Sequence, residues 1–282
     1  MNFTLGFSPC PNDTFIFDAL VNKKIDTGDF QFAVRLEDVE TLNNLAKEEV
    51  LDLTKISYGV LPLITSKYRV LNSGGALGKG VGPLLISQKP VNFNDVEKYT
   101  IAIPGKNTTA HLLFSLAFPH AKKKVFKRYD EIENAVLESE NILGVIIHEN
   151  RFTYMDKGLH KIIDLGNFWE EKTSFPIPLG GIVAKRSIDE KILMQVDALI
   201  KESMEYAFEH YPLISDYVKE HSQEMEVEVM RKHIDLYVNK FSINLGEEGR
   251  NAVQKFMKIY RRTHENTSQV ELSDKELFLE EE

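Results

Sequence analysis

Apolar and polar positions along this chain fall into short runs whose period changes part-way through. Residues 3–7, Phe3-Thr4-Leu5-Gly6-Phe7, predict a first strand. Ser8-Pro9-Cys10-Pro11 stops it stiffly, because each proline fixes its own φ and restricts the residue before it. Asn12 or Asp13 then suits the N-cap of a helix carrying Phe15, Phe17, Ala19 and Leu20. Residues 30–36 alternate as a second strand, and residues 38–46 follow as a helix. A strand ending near Ser57 should run straight into another helix. Further strands are expected at 84–86, 100–104 and 125–126, and helices at 108–114 and 130–137. The β-branched run 142–147 suits a strand buried on both faces. Residues 162–165 and 182–184 read as later strands. From Ile188 the period becomes helical, over 188–210, 212–220, 224–237 and 247–264. The acidic end, 272–282, is expected to fray.

Two successive β/α runs with helices gathered at the end predict an α/β protein of two lobes around a central cleft. A chain of 282 residues has the length for one large or two medium domains. A crossing near Lys89-Pro90 and a return strand at 182–184 set the expected lobes at 1–90 plus 187–282, and 91–186. Helix starts near residues 13 and 109 would face the cleft from opposite sides. Such starts can hold an anion or can simply be capped.

Composition narrows the function. The formal net charge is −9, and the densest basic cluster, Lys122-Lys123-Lys124 with Lys127-Arg128, reads as a solvated patch, which argues against a nucleic-acid partner. No apolar run approaches the ~18 residues needed to span a bilayer. The N-terminus enters a strand and a proline loop without the features of a secretory signal, so a cytoplasmic protein is expected. The single cysteine, Cys10, cannot form an internal disulfide and fits a reducing compartment.

His148 ends the apolar run 142–147 and is followed by Glu149, Asn150 and Arg151. A polar cluster at the carboxyl end of a buried strand is where open α/β sheets place ligands. Histidine there is either a proton carrier or an ordinary hydrogen-bonded loop residue, and the pattern leaves both open. Strand alternation points Glu149 to the opposite face. Lys55 and Ser57 lie two apart and share a face, where a cation and a hydroxyl can meet an oxygen-rich ligand; Ser57 could equally cap the next helix. Ser73 to Pro83 is glycine-rich but is not a phosphate loop: Gly80 follows Lys79, and Gly78, Gly80 and Gly82 have the wrong spacing for a dinucleotide motif. It reads as permissive backbone near a ligand or a hinge. His148-Glu149 is not part of a zinc H-E-x-x-H, since position 152 is Phe, and the other histidines have no ligand spacing. Cys10 has no partner at fixed spacing. The residues alone describe a two-lobed protein that binds a small anionic molecule.

Several motifs together resemble the 1,4-dihydroxy-6-naphthoate synthase family of the futalosine route to menaquinone. They are the segment Leu5 to Phe17 with its Ser8-Pro9-Cys10-Pro11-Asn12-Asp13, Leu36 to Asn43, Thr54-Lys55-Ile56-Ser57-Tyr58, and Ser73 to Gly78. Gly80 to Leu84, Pro104-Gly105 with Thr108-Thr109-Ala110, Ile146-Ile147-His148-Glu149 and Arg151 to Tyr154 continue the match. Asp164 to Gly166, Pro178 to Gly180, Tyr237 to Asn239 and Gly246 to Gly249 carry it through most of the chain. The resemblance implies a type II periplasmic-binding-protein-like fold. It implies a carbon–carbon lyase that cleaves cyclic dehypoxanthinylfutalosine to 1,4-dihydroxy-6-naphthoate and a sugar-derived fragment. It makes His148 the proton acceptor, with Lys55, Ile56, Ser57, Thr109 and Ala110 binding substrate. It calls for no metal and no redox cofactor, and a homodimer is an open expectation. A chorismate dehydratase of the same pathway shares this fold, as do non-catalytic proteins that bind small anions, and fold alone does not decide among them.

Overall fold

The structure, a computed structural model, describes residues 1–223, 226–263 and 272–280. The chain begins β1 (Asn2–Phe7), α1 (Pro11–Val21), β2 (Gln31–Leu36), α2 (Val39–Lys47), β3 (Leu53–Ser57), β4 (Tyr68–Val70), β5 (Ala76–Gly78) and β6 (Leu84–Ser87). It continues with β7 (Thr100–Ile103), α3 (Thr109–Ala117), β8 (Lys124–Phe126), α4 (Ile132–Glu138), β9 (Ile142–Ile146), α5 (Asn150–Thr153), β10 (His160–Asp164), α6 (Leu165–Thr173) and β11 (Ile177–Lys185). Six helices close it: α7 (Glu190–His210), α8 (Asp216–His221), α9 (Val227–Tyr237), α10 (Lys240–Ile243), α11 (Gly246–Thr263) and α12 (Asp274–Leu277).

Two sheets result. The first has the order β2-β1-β3-β11-β4, with β5 also paired to β11. The second has the order β10-β6-β9-β7-β8. Each joins parallel βα strands to antiparallel ones: β1 runs parallel to β2 and β3, β7 runs parallel to β8 and β9, and β11 and β6 run against their neighbours. The strand 84–87, expected in the first lobe, is buried along its length and pairs with β9 and β10 of the second sheet. Conversely β11 lies within the range expected for the second lobe but belongs to the first sheet, as expected of its return strand at 182–184. The chain crosses between sheets at 79–83 and 165–176, ahead of the expected lobe bounds at 90 and 187. Glycine allows the return: a Cβ at Gly180 would lie 2.7 Å from the Ile56 carbonyl oxygen, and one at Gly181 would lie 2.5 Å from the Tyr58 hydroxyl.

Phe7, Ile16, Phe17 and Leu20 pack with Leu193, Val196 and Ile200 of α7 into one core, so the helical end of the chain covers the first sheet. A second core gathers Ile101, Phe114, Val145, Trp169 and Phe256. Full burial of each such side chain contributes about 1.5–3 kcal/mol.

Three local expectations change. After β3 the chain makes a turn and a short 3-10 segment at Leu61–Leu63 around Pro62, not an α-helix. The helix expected over 212–220 starts at Asp216, with Ser215 Oγ accepting the Val218 N–H at 3.3 Å. The expected fraying fails over 272–280. Leu277, Phe278 and Leu279 are buried, and the Leu279 N–H donates to the Val70 carbonyl at 2.8 Å. Residues 224–225 and 264 of the expected helices, and 281–282 of the tail, lie outside the described residues. Among the described residues no helix is long and apolar enough to cross a membrane.

Candidate active site

A cavity of about 90 Å³ lies where the two sheets face each other, and Lys55, Ile56, Ser57, Thr109, Ala110 and His148 all line it. Strand alternation on β3 turns Lys55 and Ser57 toward it. The Ile56 side chain packs into the core, so this residue presents its backbone to the cavity.

Lys55 is not an uncommitted cation. Its Nζ lies 3.0 Å from Asp13 Oδ1 and donates to the Gly74 carbonyl at 2.7 Å. Asp13 also accepts the Ser8 hydroxyl at 2.7 Å, the Ser8 N–H at 3.2 Å and Asn12 Nδ2 at 2.8 Å. Cys10, not Asn12 or Asp13, occupies the N-cap position of α1, because Pro11 starts the helix. The start of α1 faces the cavity with a carboxylate already in place. The sequence marked Asp13 as a possible cap and gave no sign of its pairing with Lys55, which depends on β3 lying beside β1.

Ser57 meets the start of α3 directly. Its Oγ accepts the Thr109 N–H at 2.7 Å and donates to Thr109 Oγ1 at 3.1 Å. Thr109 Oγ1 in turn donates to the Leu179 carbonyl at 3.0 Å. Thr108 caps the helix through the His111 N–H at 3.2 Å. The approach is close enough to need Gly59, where a Cβ would sit 2.3 Å from the Thr108 carbonyl carbon. Nearby, Glu40 of α2 accepts the Lys106 N–H at 3.2 Å and Asn107 Nδ2 at 2.9 Å. Burial raises the Glu40 carboxyl above its usual range, against the hydrogen bonds from Asn43, Asn107 and Lys106. These bonds run from the first sheet's side to the second's and hold the cleft closed.

His148 sits outside its strand. β9 ends at Ile146, and His148 has φ 57°, in the left-handed region. The chain then coils into α5, so strand alternation no longer applies and Glu149 lies on the His148 side. Donor atoms of Cys10, His148 and Glu149 all fall within 4.8 Å of one another, which corrects the expectation that Glu149 points away. Among the described residues this is the group of three that could hold a metal. Cys10 is far in sequence from the adjacent His148 and Glu149, so spacing could not have revealed the group.

Tyr129 packs edge-on against the His148 ring, with centroids 5.0 Å apart. Burial pushes the His148 imidazole down to about 4; Asp13 and Asp38 pull it up by less, and Lys55 pushes it further down. The ring is therefore neutral at neutral pH, as a proton acceptor must be. Behind it His233 is completely buried, with Nε2 2.8 Å from Asn12 Oδ1. Burial, and His148 beside it, hold His233 well below its usual range. Burial and the Glu149 charge push the Cys10 thiol up.

Arg151 explains the glycine-rich stretch. It donates to the Gly82 carbonyl, to the Gly80 carbonyl at 2.8 Å and to Asp164 at 2.8 Å. Asp164 also caps α6 through the Gly166 N–H at 2.8 Å. A Cβ at Gly82 would lie 2.3 Å from the Gly166 backbone. The stretch is a crossing clamped by arginine, and it lends Val81 and Pro83 to the cavity wall.

A family model described as "Menaquinone biosynthesis" matches residues 3–262. The chain belongs to the menaquinone biosynthesis family. Within that family it is 45% identical over 249 residues to the 1,4-dihydroxy-6-naphthoate synthase of Thermus thermophilus, covering 88% of this chain and 90% of the relative. It is 39% identical over 255 residues to the enzyme of the same name from Streptomyces coelicolor, covering 89% of each. Among solved structures, protein AF1704 of Archaeoglobus fulgidus matches with a TM-score of 0.88 at 30% identity, over 93% of this chain and 98% of that one. The periplasmic aliphatic sulphonate binding protein SsuA of Escherichia coli matches with a TM-score of 0.69 at 11% identity, over 99% and 92%. The second likeness is one of fold: this family member has the two α/β lobes and central cleft of periplasmic binding proteins.

Proposed function

We propose that this chain is a 1,4-dihydroxy-6-naphthoate synthase. In this reading it is a cytoplasmic carbon–carbon lyase that converts cyclic dehypoxanthinylfutalosine to the naphthoate and a sugar-derived fragment, with His148 as proton acceptor. The names of the relatives support the reaction. The observation that carries the role of His148 is a neutral imidazole, depressed by burial, at the wall of a cavity that also gathers Lys55, Ser57 and Thr109.

The chemistry asks little more of the protein. A proton leaves the substrate while a carbon–carbon bond breaks and an aromatic ring forms. Aromatisation supplies driving force, so one positioned base in a water-poor cleft suffices. The substrate carboxylate sits at the start of α3, where N–H groups and the helix dipole favour negative charge. To admit it, the cleft must open and the Ser57–Thr109 bonds must exchange for bonds to the ligand.

The test is incubation of the purified chain with cyclic dehypoxanthinylfutalosine and, separately, with chorismate. Release of 1,4-dihydroxy-6-naphthoate from the first alone is the expected result. Dehydration of chorismate, or binding of either compound without turnover, would overturn the assignment.

A further inference from the structure

Three metal-competent donors converge on the His148 end of the cavity from different parts of the chain. Cys10 comes from the turn before α1; His148 and Glu149 come from the turn after β9. One sulfur, one imidazole nitrogen and one carboxylate oxygen lie within 4.8 Å of one another.

A second observation shows that this place is rich in electron pairs. Asn12 Nδ2 donates to Asp13 Oδ1 at 2.8 Å, which turns Asn12 Oδ1 toward His233. His233 Nε2, 2.8 Å from that oxygen, must therefore carry its proton. On the neutral ring Nδ1 is then a bare lone pair. It is completely buried, has no hydrogen-bond partner, and faces Glu149 Oε2 at 3.6 Å. A buried imidazole lone pair that no donor meets is costly. A proton brought to it relieves that cost, and so does a metal ion.

We propose that a thiophilic divalent cation of the zinc class binds here, held by Cys10 Sγ, the His148 imidazole and the Glu149 carboxylate, with His233 Nδ1 as the fourth donor. Sulfur, two imidazoles and one carboxylate form a set suited to such an ion. In a tetrahedral site with bonds of about 2.0–2.3 Å, neighbouring donors stand about 3.3–3.8 Å apart. The His233–Glu149 distance of 3.6 Å already has that spacing. The donors of Cys10, His148 and Glu149, within 4.8 Å of one another, close up by about an ångström on binding. The ion joins Cys10 on the first sheet's side to His148 and Glu149 on the second's, so it locks the cleft shut. It also takes the His148 lone pair, so the bound form is inactive; this last point alone rests on His148 being the base.

Cobalt(II) titration of the full chain tests the site without any turnover. One ion per chain should bind, with a sulfur-to-cobalt charge-transfer band and tetrahedral ligand-field bands, and zinc should displace it. Cys10→Ser should remove the sulfur band and weaken binding by about tenfold or more. His233→Leu should keep the sulfur band and weaken binding about 10–100-fold. Failure to bind cobalt means that a proton alone fills the place, and it overturns the proposal, as does binding without a sulfur band or binding that survives Cys10→Ser unchanged. Zinc should then stop naphthoate release, and a chelator should restore it. A chain that shows the sulfur band yet keeps its turnover with zinc bound retains the metal site and contradicts the base assignment.

Discussion

At the end of the cavity where β3 meets α3, Ser57 and Thr109 satisfy each other, and the Thr109 hydroxyl donates to the Leu179 carbonyl. At the end where β9 turns into α5, His148 is half-buried and held down to about 4 by burial, with Cys10, Glu149 and His233 packed around it. Both ends are strand-to-helix junctions at a cleft. The first spends its polar groups on bonds across the cleft, which suits closure and docking. The second keeps a titratable group desolvated and neutral, which suits proton transfer. A burial cost that would be a defect at the first junction is, in the proposed reading, what equips the second to take a proton.

The contrast breaks first at His148. His148→Asn keeps a polar side chain of similar shape and removes the basic nitrogen, so kcat for naphthoate release should fall about 10²–10⁴-fold while the naphthoate still binds. Near-normal turnover would move the chemistry elsewhere. Between the two ends stands the ion pair of Lys55 with Asp13, whose side chains are 6% and 3% exposed. Asp13→Ala strands a buried ammonium and should cost about 3–5 kcal/mol of stability in urea unfolding. A loss under 1 kcal/mol would mean that water reaches Lys55 freely.

Thr109→Val keeps the shape and removes the hydroxyl that joins Ser57 to Leu179. We expect KM to rise about tenfold, or about 1.4 kcal/mol, with kcat little changed. A variant with normal KM places the carboxylate away from α3. The smallest effect belongs to Ile56, whose side chain faces the core. Ile56→Val should cost about 0.5–1.5 kcal/mol of stability and leave KM alone; a change in KM would show that the side chain, not the backbone, meets substrate.

Much of the docking end was legible in the sequence. Period-two alternation places Lys55 and Ser57 on one face, and the hydroxyls of Thr108 and Thr109 mark a helix start, because both signals are local. The chemical end was legible only as a histidine after a buried strand. Its left-handed backbone reverses the expected direction of Glu149, and residue 148 carries no glycine to announce that turn. Cys10, Asn12 and His233 reach the site through packing of α1 and α9 against the turn after β9, which no spacing encodes. Sheet membership of β6 and β11 depends on pairing across long sequence separations, and so does the docking of Leu277, Phe278 and Leu279, which an acidic tail conceals.

The central claim is that His148 works as a desolvated neutral base, and the pH dependence of kcat/KM for naphthoate release tests it most directly. A base acts only when unprotonated, so activity is lost as pH falls through its folded-state pKa. With that pKa held down to about 4, the profile should stay level through pH 6 and fall with a midpoint about two units lower. An acid limb centred near 6.5, the ordinary histidine value, would contradict the account.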